Sequence, residues 1–427
     1  MRLIHREIHK LRNSVLGRNF GWMLVGQGAT LVLQAGYFAV LGRLLGAAEY
    51  GVYVGAFALT AILASFTAMG SGTILLRYVG AERLRFPAYW GSVLVLTTGF
   101  SVIFLSGAKL AAPHLLNPAS AGLVLLAGIG SCFCNEVTRN AAMVFQTFER
   151  MKVTALINLA SNLARFCAAG GMLAELRHAS AFQWAVASMV VSALTALASF
   201  IAVTVAYGWP RFSVSLAIKG IPEGFGYSFA GSASSVYNDI DKTMLSHYGM
   251  NQANGIYALA YRIIDVSTTP VAALKDAAAP RFFREGSSNP NALRVLAERL
   301  TQRAVILMIG VAVVLYTTAP LIPLALGPGF AESVQAVRWL CLIPLLRAIH
   351  QISGCAVMGL GKQRYRTAAQ LSVAVFNFSL NLFWIPAYGW KGAAGSSLLS
   401  DGLLALLSFG LVLVFCRKPN KVLTYSH

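Results

Sequence analysis

Leu44–Phe57 reads LLGAAEYGVYVGAF, and His247–Tyr261 reads HYGMNQANGIYALAY. Each stretch holds a glycine, a short polar loop and then Gly-x-Tyr opening an apolar run: Gly46 with Gly51 and Tyr53, Gly249 with Gly255 and Tyr257. A loop met twice suggests a chain built from two similar halves. A weaker echo points the same way, since Asn158 and Asn162 stand four residues apart, as do Asn377 and Asn381. Chance similarity between apolar sequences is the competing explanation.

The segments around these loops set the class. Of 427 residues, 57% are hydrophobic and 11% charged, with mean hydropathy +0.64; a soluble protein carries about 25% charged residues. Apolar runs of about 20 residues, the length a helix needs to cross the hydrocarbon core, recur along the chain. They predict twelve spans: 20–42, 51–76, 88–111, 119–145, 153–174, 181–207, 224–247, 255–278, 304–326, 334–360, 367–388 and 392–415. The expected fold is an all-α polytopic membrane protein, with two six-helix lobes related by a parallel pseudo-repeat. Six is even, so both halves run in the same direction, a known transporter plan. The expected organisation is a basic amphipathic segment (1–19), an N-terminal lobe (20–207), an inter-lobe linker (208–223), a C-terminal lobe (224–415) and a tail (416–427).

The net charge of +19 is a topology signal rather than a nucleic-acid footprint. About 23 basic residues flank alternate span ends, against about 4 in the opposite loops, by the positive-inside count. Both termini are therefore expected on the cytoplasmic side. Ile4, Ile8, Leu11 and Val15 form an apolar stripe with basic residues on the other faces, as in a helix lying on the membrane surface; a solubilising basic tail is the alternative. Reporter fusions at His427 and near Asn251 should report opposite sides of the membrane. Both on one side would sink the twelve-span topology.

Other chemistry is thinly represented. Cys132, Cys134, Cys167, Cys341, Cys355 and Cys416 fall in or at the ends of spans without C-x-x-C spacing, which favours apolar packing over a disulfide or metal site. The sequence has no P-loop, dinucleotide fingerprint or H-E-x-x-H, and its loops are far shorter than the ~100 residues of a typical domain. No catalytic residues, cofactor or metal are expected, and the chain does not read as an enzyme.

The informative residues are ionisable groups within spans, which are rare and normally face a cavity or a partner. Asn158, Asn162 and Arg165 share one helix face, as do Arg347, His350 and Gln351; Glu136, Arg139 and Asn140 cluster at i, i+3, i+4. Arg165 lies roughly 18 Å into its span at 1.5 Å per residue, too deep to reach water easily. Asp239 and Asp241 lie roughly 9–12 Å below the end of span seven, level with Arg262 on span eight. Arg262 has two candidate partners: one of these aspartates, or Asp265 one turn away. Asp239 and Lys242 share a face of span seven, whereas Asp241 points elsewhere.

GRLLGAAEYGVYVGAF (Gly42–Phe57), MGSGTILLRYVG (Met69–Gly80), DKTML…GIYALAYRI (Asp241–Ile263) and GLGKQRY (Gly359–Tyr365) resemble, in order and spacing, the polysaccharide and O-antigen flippases. That family belongs to the multidrug/oligosaccharidyl-lipid/polysaccharide exporter superfamily. The resemblance implies two bundles around a central cavity open to one side at a time. It implies a substrate of oligosaccharide linked through diphosphate to a polyprenol, turned from the cytoplasmic to the periplasmic leaflet of the bacterial inner membrane during O-antigen or exopolysaccharide synthesis. It also implies ion-gradient coupling, contact with membrane lipids, and a polysaccharide polymerase and chain-length machinery as partners. Nucleic acid is not expected.

A lipid diphosphate crossing a low-dielectric layer needs fixed cations, and arginine grips phosphate oxygens bidentately. Arg165, Arg347, Arg139 and Arg262, with Asn158, Asn162 and His350, are the candidate substrate-binding residues. Asp241, Asp239, Glu136 and Asp265 are the candidate coupling or gating residues. The Asp241-Lys242 step matches the family's acidic-basic pattern, and Asp239 lies outside it. The span-seven charges are thus either a structural pair or a site that takes and releases a proton. Two other functions compete. A multidrug exporter would share the architecture but want an acidic, aromatic cavity. A membrane glycosyltransferase or polymerase would want a long outer loop with catalytic residues.

Overall fold

A computed structural model describes residues 15–416, and all their regular structure is helical. The tail at 417–427, nearly all of the segment expected at 1–19, and the side chains of 15–21, 23–25, 230–238 and 287 fall outside the description. The helices are α1 Val15–Thr67, α2 Ser71–Ala81, α3 Phe86–Leu115, α4 Pro118–Ala121, α5 Val124–Gly128, α6 Asn135–Thr147, α7 Met151–Leu176, α8 Ala181–Tyr207 and α9 Val214–His247. They continue with α10 Asn251–Ser267, α11 Thr269–Ser288, α12 Pro290–Thr318, α13 Ile322–Leu326, α14 Ser333–Leu340, α15 Ile343–Gly359, α16 Gln363–Tyr388 and α17 Trp390–Cys416.

Every expected span falls on helical residues, some of them interrupted. By length and hydropathy, six helices can cross a membrane, or seven when the bent pair Pro328–Leu340 and Ile343–Gly359 counts as one span. One of the six, Gly26–Ala81, has 56 residues, enough for two crossings at 1.5 Å per residue. The expected spans at 119–145, 153–174, 224–247 and 255–278 are not among them. Those four carry most of the candidate charges, which lower their hydropathy.

Helix starts follow local capping chemistry. Asn117, Ser213 and Asn289 each accept a hydrogen bond from a backbone N–H three residues on, and Ser180 forms a reciprocal capping box with Gln183. These bonds satisfy donors that have no intrahelical partner. Large apolar side chains face outward while several charged and amide groups are enclosed: Leu110, Val205, Leu324 and Leu406 are each at least 74% exposed, and Asp241, Lys242, Asn381 and Asp401 are buried. A solvent-facing surface of that kind is unfavourable in water and natural against lipid.

The chain forms two compact units, Met1–Gly255 with Ala325–Gly329, and Ile256–Leu324 with Phe330–His427. In the first unit, Leu75, Val79, Trp90, Ala141, Val144 and Val203 make a core; in the second, Phe282, Leu293, Met308, Ile352 and Val412 do so.

Within the first unit the repeated loop recurs as geometry. Gly46 and Gly249 both have positive φ, 69° and 70°, a conformation that glycine adopts without a Cβ penalty. The two Gly-x-Tyr glycines lie against each other's loops: a Cβ on Gly51 would stand 1.7 Å from the Asn251 carbonyl oxygen, and one on Gly255 1.9 Å from that of Ala47. Amides close over the contact. Asn254 Nδ2 donates to the Gly51 carbonyl (3.0 Å), and Asn117 Nδ2 donates to Asn251 Oδ1 (2.7 Å) and the Ser246 carbonyl (2.8 Å).

Candidate functional site

The first unit contains a cavity of about 370 Å3 lined by α1, α2, α6 and α9, with Ser65, Thr73, Ser131, Asn135, Glu136, Arg139, Asn140 and Tyr227 supplying its polar groups. Its floor is set by an irregular span. After α5 the chain takes six residues of π-helix, Ile129–Cys134, before α6 resumes, and π-bulges recur at functional sites. Glu136 is buried and paired with Arg139, whose Nε donates to Oε2 at 3.1 Å, while the arginine side chain is 57% exposed. The arginine therefore reaches open space with its charge only partly committed. Asn140 is buried; its Nδ2 donates to the Glu136 carbonyl, and its Oδ1 lacks a hydrogen-bond partner.

On α7, half-buried Arg165 donates through Nη2 to Asn135 Oδ1, which places a second cation beside a cavity-lining amide. Asn158 and Asn162 lie farther along the same helix: Asn162 Nδ2 donates to the Asn158 carbonyl (2.8 Å), and Gln34 donates to Asn162 Oδ1 (3.3 Å). The parallel pair on α16 is bonded too, Asn381 Nδ2 to Asn377 Oδ1 at 3.0 Å, but fully buried.

Span seven keeps its charges locally. Lys242 Nζ meets Asp239 Oδ1 at 2.9 Å and Asp241 Oδ1 at 3.9 Å, and Asp241 Oδ1 accepts the Lys242 backbone N–H. Lys242 and Asp241 are buried and Asp239 is 16% exposed. Near the basic ends of α2 and α9, Glu223 accepts from Arg77 (2.8 Å) and from the Tyr78 hydroxyl (3.2 Å).

The second unit gathers the other candidates. Arg347 Nη1 donates to Asp265 Oδ1 (2.7 Å) and Nη2 to the Tyr261 hydroxyl (3.0 Å), with the guanidinium 5.2 Å from the Tyr261 ring centre. Arg262 meets Asp265 at 3.8 Å. On the other side of Arg347 lies Asp401 of α17, 4.0 Å from Nε and 3.4 Å from His350 Nε2. The sequence reasoning missed Asp401. Its available signal was a lone carboxylate in an apolar span, one turn on from Ser396 and Ser397 and next to Ser400. The structure thus joins Arg347, His350, Asp265 and Arg262, and separately Glu136 with Arg139 and Asp239 with Lys242.

Known proteins share this arrangement of helices. The family model described as "Polysaccharide biosynthesis protein" matches residues 16–285. The chain belongs to that family. Among solved structures, it is similar to an inward-facing multidrug resistance MATE family transporter of the MOP superfamily, with 13% identity, 92% of this chain and 98% of that chain covered and a TM-score of 0.73. It is also similar to the lipid II flippase MurJ in an inward closed conformation (13%, 93% and 87%, 0.68). A third likeness is to a MOP superfamily transporter from Pyrococcus furiosus (13%, 96% and 97%, 0.61). No curated protein sequence matched. At these identities the likenesses establish the fold: an all-helical, multi-pass membrane protein with two helical lobes.

Proposed function

We propose that this member of the polysaccharide biosynthesis family is a flippase. It carries an oligosaccharide on a polyprenyl diphosphate from the cytoplasmic to the outer leaflet of the bacterial inner membrane, with both termini cytoplasmic. The observation that carries this is the cavity of the first unit. Within a membrane fold, about 370 Å3 is lined by hydroxyls, amides and an exposed arginine, with Arg165 fixed beside it through Asn135. Such a lining suits a head group that is anionic at the diphosphate and hydroxyl-rich at the sugar, since arginine offers phosphate a planar fork and amides pair with hydroxyls. In this reading Arg139 and Arg165 hold the head group in the first unit and Arg347 offers a further cation in the second. Alternating access moves the cargo, and an ion gradient biases it through the buried carboxylates, Asp241 among them.

The test is translocation of a radiolabelled lipid-linked glycan in sealed vesicles containing the purified protein. Label should reach the far leaflet with no new glycosidic bond, and Arg165→Ala should remove most of the flux at normal membrane abundance. Arg165→Lys should recover only part of it, because lysine lacks the fork. New glycosidic bonds would convert the reading to a transferase, and export of cationic dyes with no glycan movement to a drug exporter.

A further inference from the structure

The least explained group in the second unit is Asp401. It is fully buried, and neither carboxylate oxygen has a hydrogen-bond partner. His350 Nε2, 3.4 Å away, also lacks a hydrogen bond, as does Gln351 Oε1 on the next residue. A buried carboxylate is costly unless a cation or a proton accompanies it. Among the described residues the guanidinium within 4.0 Å is that of Arg347, which meets Asp265 and Tyr261 at shorter range. Two carboxylates therefore bracket a single buried arginine.

We infer that Asp401 and His350 form a proton-binding site that controls how firmly Arg347 can hold an anion. With the proton absent, Asp401 and Asp265 both draw on Arg347, and an incoming diphosphate competes with them. With a proton held between Asp401 and His350, the Asp401 charge is satisfied and the Nε side of the guanidinium is released. Linkage makes this reciprocal: protonation strengthens anion binding, and anion binding takes up a proton. A hard metal cation fits the place poorly. It wants six or more oxygen ligands, it would sit beside a guanidinium, and no cluster of three metal-ligating side chains occurs among the described residues.

Charged groups also face α15 from the helices packed on it: Lys275 with Asp276 on α11 (3.1 Å), and Arg366 on α16, which donates to Met358. From α15, Arg347 and His350 face Asp401; behind Arg347 stand Tyr261 and Asp265 of α10, with Arg262 on Asp265. Tyr257 of α10 is occupied by Ser397 (2.9 Å). The α16 side offers amides: Asn377 donates to Ser400, and Asn381 accepts from Ser396. On α12, Arg294 and Glu298 pair with each other (2.7 Å), and Glu332 ahead of α14 accepts from Trp390.

The anion half of this inference rests on the proposed diphosphate substrate; the proton half does not. Full-length protein in lipid nanodiscs, without ligand, should show a protonated-carboxyl infrared band that grows as pH falls. The band should vanish in Asp401→Asn and shift its midpoint in His350→Gln. Calorimetry with farnesyl diphosphate, in buffers of different ionisation enthalpy, should show proton uptake and affinity rising by at most about tenfold per pH unit. Asp401→Asn should bind with pH-independent affinity and take up no proton. A band that survives Asp401→Asn, no pH-dependent band in the wild type, or equal proton uptake in wild type and both variants overturns the site. If the wild type binds no diphosphate at any pH, the substrate reading fails instead, and the infrared result alone decides the proton site. Should Asp401→Asn not fold, the wild-type band and His350→Gln still decide.

Discussion

Alanine at Gly51 should remove transport and lower the thermal midpoint, and alanine at Gly255 should do the same. A methyl on Gly51 would stand 1.7 Å from the Asn251 carbonyl oxygen and 2.8 Å from the Gly255 nitrogen, where the obstacle is backbone rather than a side chain able to rotate away. The loops would have to separate by roughly 2 Å to restore an ordinary contact, and well-packed sites resist even one added methylene by about 1–3 kcal/mol. Separation would also break the Asn254 bond to the Gly51 carbonyl and disturb Asn117 on Asn251. Gly107→Ala is the control: its Cβ would meet nothing within 4 Å, so it should leave both readings unchanged or slightly raise the midpoint. Thermal unfolding in detergent, together with vesicle transport, provides the check. Normal values for Gly51→Ala would show that the close approach does not persist in the working protein.

Arg347→Ala should be the most destabilising single change among the candidate residues. Arg347 is 8% exposed, bonded to Asp265 and Tyr261 and near Asp401. Its removal leaves a buried carboxylate without its guanidinium, a defect of about 3–5 kcal/mol. Arg347→Ala with Asp401→Asn should recover part of that loss, because no uncompensated charge then stays in the core. Arg165→Ala, at a half-buried residue bonded to one neutral amide, should keep the wild-type midpoint while losing flux. Thermal midpoints of the four proteins separate the two roles. Equal midpoints for Arg347→Ala and the wild type would mean that the buried network contributes nothing to stability.

Much of this was legible in sequence because it is local. Hydropathy and span length gave an all-helical membrane chain, and all twelve expected spans lie on helix. Helical spacing put Asp239 and Lys242, and Glu136 and Arg139, on common faces, and both pairs form. The doubled loop motif announced Gly46 and Gly249, which both have a positive φ near 70°. Spacing three or four apart dictates such neighbours whatever the rest of the chain does.

The long-range assignments needed the tertiary structure. Arg347 and Asp265 are 82 residues apart, and helical spacing says nothing about which faces of different helices meet. Arg262 stands 3.8 Å from Asp265 one turn along its own helix, while Asp265 in turn is claimed by Arg347 from a distant helix. Asp401 looked unremarkable among serines and leucines, because a carboxylate reveals its charge problem only when neighbouring helices enclose it. The π-helical turn ahead of Glu136 was equally invisible, since it changes the register of a span without changing its composition. Sequence by itself determined the class and the local pairs. Which distant charges share one dehydrated space was decided by tertiary packing, because rotation of a helix about its own axis costs the sequence pattern nothing and changes every partner.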